Sequence, residues 1–91
     1  MEFEWDSAKS ARNRRERGFG FETAARIFSG PVIEWCGIRE PWGEVRIVAV
    51  GAAERHVLTV VYTLRGDARR IISSRKARRK ERQLWRSFTS P

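Results

Sequence analysis

The sequence predicts a small α+β fold: two N-terminal helices, an antiparallel sheet of three to four strands, and a basic C-terminal helix. Three observations lead to this prediction. Helix start and stop signals occupy the first third of the chain, β-branched segments its middle, and a cationic run with apolar residues at helical spacing its end. With 91 residues, 41% of them hydrophobic, residues 1–91 are expected to form a single domain around one small core.

The two helices are justified by their boundaries. Asp6 is a good N-cap, residues 9–17 are compatible with a helix, and Gly18 follows where helices commonly end in a left-handed residue. Residues 21–28 are predicted to form a second, short helix whose apolar side chains share one stripe, and the Gly-Pro pair at 30–31 is expected to stop it.

Four segments are predicted to be strands. Residues 32–36 and 44–50 come first, and residues 57–65 give the strongest signal because they are rich in β-branched side chains. Residues 69–73 return as the partner of that third strand. If Gly66-Asp67 forms a two-residue hairpin turn, Arg65 and Arg70 share one face of the sheet, whereas a three-residue loop would shift the register by one.

The last helix is predicted to begin at Ser73 or Ser74 and to run to about residue 87. It lies in the most charged part of the chain. Residues 1–64 balance 9 Lys and Arg against 9 Asp and Glu, whereas residues 65–91 hold 10 against 2 and so carry the whole net charge of +8. Cations at a helix start are disfavoured by the helix dipole, so we expect a polyanion to bind there.

Composition excludes several classes of protein. The single Cys36 cannot form an intrachain disulfide, which disfavours an oxidising compartment, and no Cys/His cluster indicates a zinc site. The acidic N-terminus does not resemble a signal peptide, and the longest apolar stretch, residues 47–53, is far too short for a membrane span. We therefore expect a cytoplasmic protein that needs no metal or other cofactor and binds no membrane.

Three segments carry a more specific signal. They are F-E-W-D-x-x-K-x-x-x-N at residues 3–13 with F-E-x-A at 21–24, then E-x-R at 44–46 with V-V-Y-T-x-R at 60–65, and finally R-I-I-S-S-R-K-A at 70–77 with E-R at 81–82. In this order and at this spacing, they resemble the BrnT family of toxins over almost the whole chain.

The resemblance implies a RelE-like fold and a metal-independent ribonuclease that arrests growth as the toxin of a type II toxin–antitoxin pair. It also implies a BrnA-type antitoxin with a ribbon-helix-helix part, through which the complex would contact operator DNA. Two positions depart from the family pattern: Arg17 stands where a His is usual, and Trp85 where many members have a Tyr. Any proton transfer by that His would have to be supplied by another residue or be lost.

Cleavage of RNA without a metal requires a group that accepts the 2′-hydroxyl proton, cations that stabilise the phosphorane, and an acid for the leaving 5′ oxygen. Arg75 is the first candidate, because a guanidinium binds phosphate through two hydrogen bonds and because this residue is predicted to begin the last helix, where free N–H groups face an anion. The alternative for Arg75 is a surface cation, or an ion pair with Glu44 or Glu81.

Other catalytic candidates each have a structural alternative. Lys76 either accepts a proton or binds phosphate. Tyr62 either stacks on an RNA base or transfers a proton, and the alternative is that it is a half-buried packing residue. Glu81 is a candidate proton acceptor, and the alternative is an ion pair within the helix. The strand cations Arg46, Arg65 and Arg70 are expected to converge on one groove unless they merely face solvent. The charge pattern assigns RNA binding to Arg69, Arg78, Arg79, Lys80 and Arg82. His56 is expected to be solvated in a turn.

Two functions of other classes stay open. A non-catalytic RNA- or DNA-binding module explains the charge and leaves the family resemblance unused. An interaction protein, whose basic last helix binds an acidic protein or a membrane surface, is the second. That helix offers only a small apolar cluster for such a role, formed by Leu84, Trp85 and Phe88.

Overall fold

The computed structural model describes residues 2–39 and 43–90 and confirms the α+β class. Its strands are β1 (Glu2–Trp5), β2 (Val32–Arg39), β3 (Val45–Ala53), β4 (His56–Arg65) and β5 (Ala68–Lys76). Its helices are α1 (Ser7–Arg17), α2 (Phe21–Ala25) and α3 (Arg79–Thr89), and a 3₁₀ turn, Arg26–Ser29, follows α2.

The five strands form one mixed sheet in the order β1-β5-β4-β3-β2. Strands β2 to β5 pair antiparallel, whereas β1 runs parallel to β5, with Glu2 opposite Ala68. The predicted antiparallel sheet of three to four strands is therefore wrong in strand number and in direction at this edge. Strand β1 has only four residues, too few for a periodic pattern, and its partner lies near the other end of the chain.

The predicted boundaries of α1 are confirmed at both ends. Asp6 Oδ1 accepts hydrogen bonds from the N–H groups of Ala8 (2.9 Å) and Lys9 (3.1 Å), and Gly18 ends the helix at φ +89°. The buried Ser10 joins α1 to α2, since its Oγ accepts a 2.9 Å hydrogen bond from Phe21 N–H, the first residue of α2.

The core lies between one face of the sheet and the α2 segment. We call this the inner face. Phe21, Ala24 and Ile27 pack there and are almost fully buried. The strand side chains that meet them are Ala49, Leu58, Val60, Tyr62 and Ile71. The opposite, outer face carries α3, and its strand residues include Thr59 and Thr63.

A β-bulge in β5 decides which face each later residue of that strand occupies. The pairing changes from Tyr62 opposite Ile71 to Val61 opposite Ser73, so Ile72 is an extra residue. Beyond it, Arg75 lies opposite Thr59 on the outer face. Without the extra residue, every side chain from position 73 onward would point to the other face.

The last helix does not begin where the sequence predicts. Ser73 and Ser74 are strand residues, and β5 continues to Lys76 before α3 begins at Arg79. The serines pair with Val61 and Val60 of β4, and this tertiary pairing overrides their local capping tendency. Arg75 is consequently a strand residue, and the premise that it begins the helix is wrong.

Candidate active site and nucleic-acid interface

The sheet separates the predicted catalytic residues into two groups. Those on the outer face, or above it on α3, are Arg46, Arg65, Arg70, Arg75 and Glu81. Those on the inner face are Tyr62 and Lys76. Arg75 and Lys76, which are adjacent in sequence, therefore lie on opposite faces.

Three arginines form a sheet-face cluster on the outer face. Thr63 pairs with Arg70 and Arg65 with Ala68, which confirms the two-residue hairpin and the shared face of Arg65 and Arg70. Arg46 joins them on the outer face because side chains alternate along β3 and the next residue, Ile47, lies opposite Tyr62 on the inner face. Glu4 of β1 borders this cluster, with its Oε1 3.6 Å from Arg70 Nη1.

Arg75 and Glu81 form an ion pair that connects β5 to α3. Arg75 donates two hydrogen bonds to the carboxylate, from Nη1 to Oε1 at 2.7 Å and from Nη2 to Oε2 at 2.9 Å. Glu81 also accepts from Thr59 Oγ1 (3.0 Å) and from the N–H of Arg78 (2.7 Å) at the start of α3. This corresponds to the ion-pair alternative stated above for Arg75.

These contacts change the acidity of Glu81. The hydrogen bonds from Arg75 are the main cause that lowers its pKa to about 2, with further help from Arg78 and Thr59 against the opposing effect of burial. The same pair raises the pKa of Arg75 above its already high ordinary value. Glu81 is thus a firmly ionised carboxylate at neutral pH, which is unsuited to accepting a proton during catalysis.

Tyr62 and Arg69 belong to an aromatic cluster beneath the inner face. Tyr62 is only 3% exposed, and its hydroxyl donates a 2.5 Å hydrogen bond to Glu34 Oε2. Burial first, and then this hydrogen bond, raise the pKa of Tyr62. The guanidinium of Arg69 lies 4.1 Å from the ring centroid of Phe28 and 5.4 Å from that of Tyr62. Through these contacts both side chains pack against the helical layer of the inner face.

The remaining predicted RNA-binding residues lie where β5 passes into α3. Lys76, Arg78, Arg79 and Lys80 are all exposed, and we call these four the basic edge. Arg82 is half-buried and its Nη1 donates to Ala77 O at 2.5 Å. No acidic residue interrupts the basic edge in sequence, and Glu81, which follows it, is held by Arg75.

Beside the basic edge, the inner face opens into a cleft of about 200 Å³. Lys76 lines it together with Arg17 from the end of α1 and His56 from the start of β4. The other lining residues are Gly18, Phe19, Thr23, Ala53, Glu54 and Leu58. Arg17 and His56 were not predicted as site residues. His56 was expected in a turn but is the first residue of β4, and Arg17 of α1 reaches the cleft through a contact with Ser74 that is distant in the chain.

The comparison with known families decides the class of protein. Residues 5–81 match the family described as "Ribonuclease toxin, BrnT, of type II toxin-antitoxin system". The chain belongs to the BrnT family. It is therefore a ribonuclease toxin of a type II system, which has an antitoxin as partner. Comparison with the curated proteins finds no match.

In this BrnT toxin, the second half of α3 lies beyond the matched residues. Leu84 and Phe88 of that half form an apolar groove with Ile33, Glu34 and Trp35 of β2. Phe88 is 72% exposed and Leu84 is 44% exposed. Trp85, on the same turn of helix, donates from Nε1 to Pro31 O at 3.0 Å and so holds α3 against the start of β2.

Proposed function

We propose that this BrnT toxin is a metal-independent endoribonuclease that acts on cytoplasmic RNA and arrests growth, with a RelE-like fold. The observation that carries the proposal is the basic edge: four exposed cations within five residues, beside a cleft lined by Lys76, Arg17 and His56. A dense set of exposed cations binds a phosphate backbone well, and the adjoining cleft offers groups able to transfer protons.

The same proposal includes the partner. A BrnA-type antitoxin neutralises the toxin, and its ribbon-helix-helix part brings the complex to operator DNA, so the toxin contacts DNA only indirectly. The charge of the toxin supports an acidic antitoxin surface, because a chain with net charge +8 favours a partner of opposite charge. Among the described residues, none of the helices is long and apolar enough to cross a membrane.

The first test is cleavage of a single-stranded RNA by the purified toxin in excess EDTA. We expect cutting to continue, because the proposed chemistry uses only side chains. The same oligonucleotide with a 2′-deoxy sugar at the cut position should stay intact, since it lacks the attacking hydroxyl. Binding of RNA without any cleavage would instead support the non-catalytic binding module, and cleavage that stops with EDTA would contradict metal independence.

A second expected result concerns the basic edge. The affinity for single-stranded RNA is expected to fall as the salt concentration rises. Replacing Arg78, Arg79 and Lys80 with Gln should reduce the slope of log affinity against log salt concentration by about 2, because each neutralised phosphate contributes roughly 0.7. Fluorescence anisotropy over a salt series measures this slope. The structure favours these three positions because each is exposed and, within residues 2–39 and 43–90, none forms an ion pair.

The matched control removes three cations elsewhere. Lys9, Arg12 and Arg15 are exposed on α1, so their replacement with Gln lowers the net charge equally. If the charge of the whole protein drives binding, both triple variants should flatten the slope alike. We expect the α1 variant to keep most of the wild-type slope, and equal slopes would remove RNA binding from the basic edge.

We further propose that the antitoxin covers the apolar groove between β2 and α3. An exposed apolar patch of this kind marks an interaction surface, and Phe88 exposes 72% of its surface to solvent, which a large apolar side chain rarely does unless a partner covers it. The helix that carries Leu84 and Phe88 also carries cations, among them Arg82 and Arg86. An apolar segment flanked by acidic residues is the complement of this surface, and we assign it to the antitoxin.

A further inference from the structure

Three separate elements converge on the cleft beside the basic edge. Lys76 pairs with Leu58, and His56 precedes Leu58 by two residues on the same strand, so both side chains lie on the inner face within one strand repeat. Arg17 approaches from the end of α1, and its Nη1 donates a 2.8 Å hydrogen bond to Ser74 O, two residues before Lys76. The pairing and this hydrogen bond hold the three side chains at one corner of the fold.

The surroundings of the cleft favour an anion. Its floor is apolar, since Leu58 and Ala53 are buried, and low-polarity walls strengthen the field of the charges at the rim. Glu54 is the one carboxylate among the lining residues, and its Oε1 lies 3.2 Å from Arg26 Nη1. Thr23 of α2 adds an uncharged hydroxyl. Two cations and an imidazole therefore face a space in which the sole acid already has a cationic neighbour.

The volume limits what can bind. At about 200 Å³ the cleft is below the roughly 300–1,000 Å³ of sites that enclose drug-sized ligands, so it suits a phosphate group with part of a sugar. It is also continuous with the basic edge through Lys76. A polynucleotide that follows the basic edge would therefore present one of its phosphates to the cleft.

We propose that this cleft binds the scissile phosphodiester of the RNA and that His56 is a catalytic residue there. The inference rests on the proposed ribonuclease function and names the site and the base. Arg17 retains N–H donors that its bond to Ser74 does not use, and these bind the non-bridging phosphate oxygens. Lys76 stabilises the developing charge from the other side.

Cleavage of the phosphodiester requires no proton-transfer group beyond His56 and Lys76. The His56 imidazole takes the proton of the 2′-hydroxyl as O2′ forms a bond to phosphorus. The bond from phosphorus to O5′ breaks, and the leaving oxygen takes a proton from the Lys76 ammonium. The products are a 2′,3′-cyclic phosphate and a 5′-hydroxyl, and His56 and Lys76 return to their starting protonation through solvent.

The rival location for the chemistry is the outer face. There, Arg75 and Glu81 are bound to each other, and the sheet-face cluster lies near the hairpin end of β4 and β5. The single histidine of the sequence is in the cleft instead. Glu4 borders the sheet-face cluster and is the carboxylate nearest to it, 3.6 Å from Arg70. The cleft adds a histidine, the side chain that most often transfers protons in catalysis.

Single-turnover cleavage of a short RNA tests the assignment. His56→Ala should lower the rate about 100-fold or more, which is the range of a lost proton-transfer group. Lys76→Gln should lower it by a similar factor. The control is Arg55→Ala, because Arg55 is exposed, directly precedes His56 and does not line the cleft; its rate should equal that of wild type.

Binding separates a catalytic role from a structural one. His56→Ala should bind a 2′-deoxy version of the oligonucleotide as tightly as wild type does, whereas Lys76→Gln should bind it more weakly. Equal cleavage by His56→Ala and Arg55→Ala overturns the inference while wild-type cleavage upholds the proposed function. If wild type cuts no RNA, the proposed function and the catalytic role of His56 both fail. Phosphate binding in the cleft is then tested by the NMR resonances of the His56 ring on adding the 2′-deoxy oligonucleotide. Unchanged resonances would show that the cleft does not bind the phosphate.

Discussion

Co-expression of the antitoxin should fail to rescue growth when the toxin carries Leu84→Ser and Phe88→Ser together. Wild-type toxin alone should stop the growth of a bacterial host, and the cognate antitoxin should restore it. Loss of two apolar anchors from an interface costs about 2 kcal/mol each, and about 4 kcal/mol in total raises Kd by about three decades. The double variant should therefore stay toxic, as colony counts with both genes induced would record.

The matched control is Leu64→Ser. Leu64 is 54% exposed, as apolar as Leu84, and lines a different groove with Gly43 and Glu44. The antitoxin should neutralise this variant fully. Rescue of the double variant to the wild-type level would remove the antitoxin from the β2–α3 groove. Light scattering on free toxin tests the other occupant, a second copy: a dimer that the double substitution dissociates would assign the groove to self-association.

The second large effect concerns the Arg75–Glu81 pair. Glu81→Gln should lower the free energy of unfolding at neutral pH by about 3 kcal/mol, because the folded protein holds the pKa of this carboxylate at about 2 against an ordinary 4.5. Glu81 is only 17% exposed and Arg75 only 30%, so solvent screens the pair less than it screens a surface salt bridge. The ion pair stabilises the fold because it links β5 to α3.

The pH dependence follows with a definite sign. The pKa of Glu81 is lower in the folded state, so its contribution is fully present above pH 4.5 and is lost as the pH falls towards about 2. Urea unfolding of wild type at pH values between 6 and 2.5 should show this loss, and Glu81→Gln should show less of it. Glu16→Gln, an exposed position on α1, is the control and should follow wild type throughout. Parallel curves for all three proteins would contradict the assignment.

Arg75 needs a test that distinguishes support from chemistry. Arg75→Ala leaves the Glu81 carboxylate with Thr59 and the Arg78 N–H alone, so we expect a clear fall in Tm, and Arg75→Lys should recover only part of it because an ammonium cannot make both parallel hydrogen bonds. A direct part of Arg75 in RNA cleavage stays a prediction. It requires that folded Arg75→Ala lose far more activity than Glu81→Gln at a temperature where both are folded.

Most of the elements were predictable because their signals are local. The N-cap at Asp6, the left-handed end at Gly18 and the two-residue turn at Gly66-Asp67 each depend on neighbouring residues, and each is as predicted. Strand β1 was missed because four residues carry too little pattern and its support comes from β5. The start of α3 was misplaced because two serines with good capping chemistry are instead paired with β4.

The candidate site was predictable only in part, for the same reason. The charge split indicated the basic edge, and the turn geometry correctly put Arg65 and Arg70 on one face. The ion pair of Arg75 with Glu81 was foreseen as an alternative, whereas the burial of Tyr62 and Arg69 among aromatic rings depends on helix packing. His56 was set aside because a turn residue next to Arg55 carries no sign of what faces it.

By itself, the sequence determined the α+β class, the cationic end and the resemblance to BrnT toxins, because these depend on composition, local pairing rules and the order of short motifs. Tertiary structure decided which cations act together. The extra residue at Ile72 turns Arg75 to α3 and Lys76 to the cleft with Arg17 and His56. The pairing with β4 sets the register on either side of the bulge, and the local sequence of β5 does not contain that pairing.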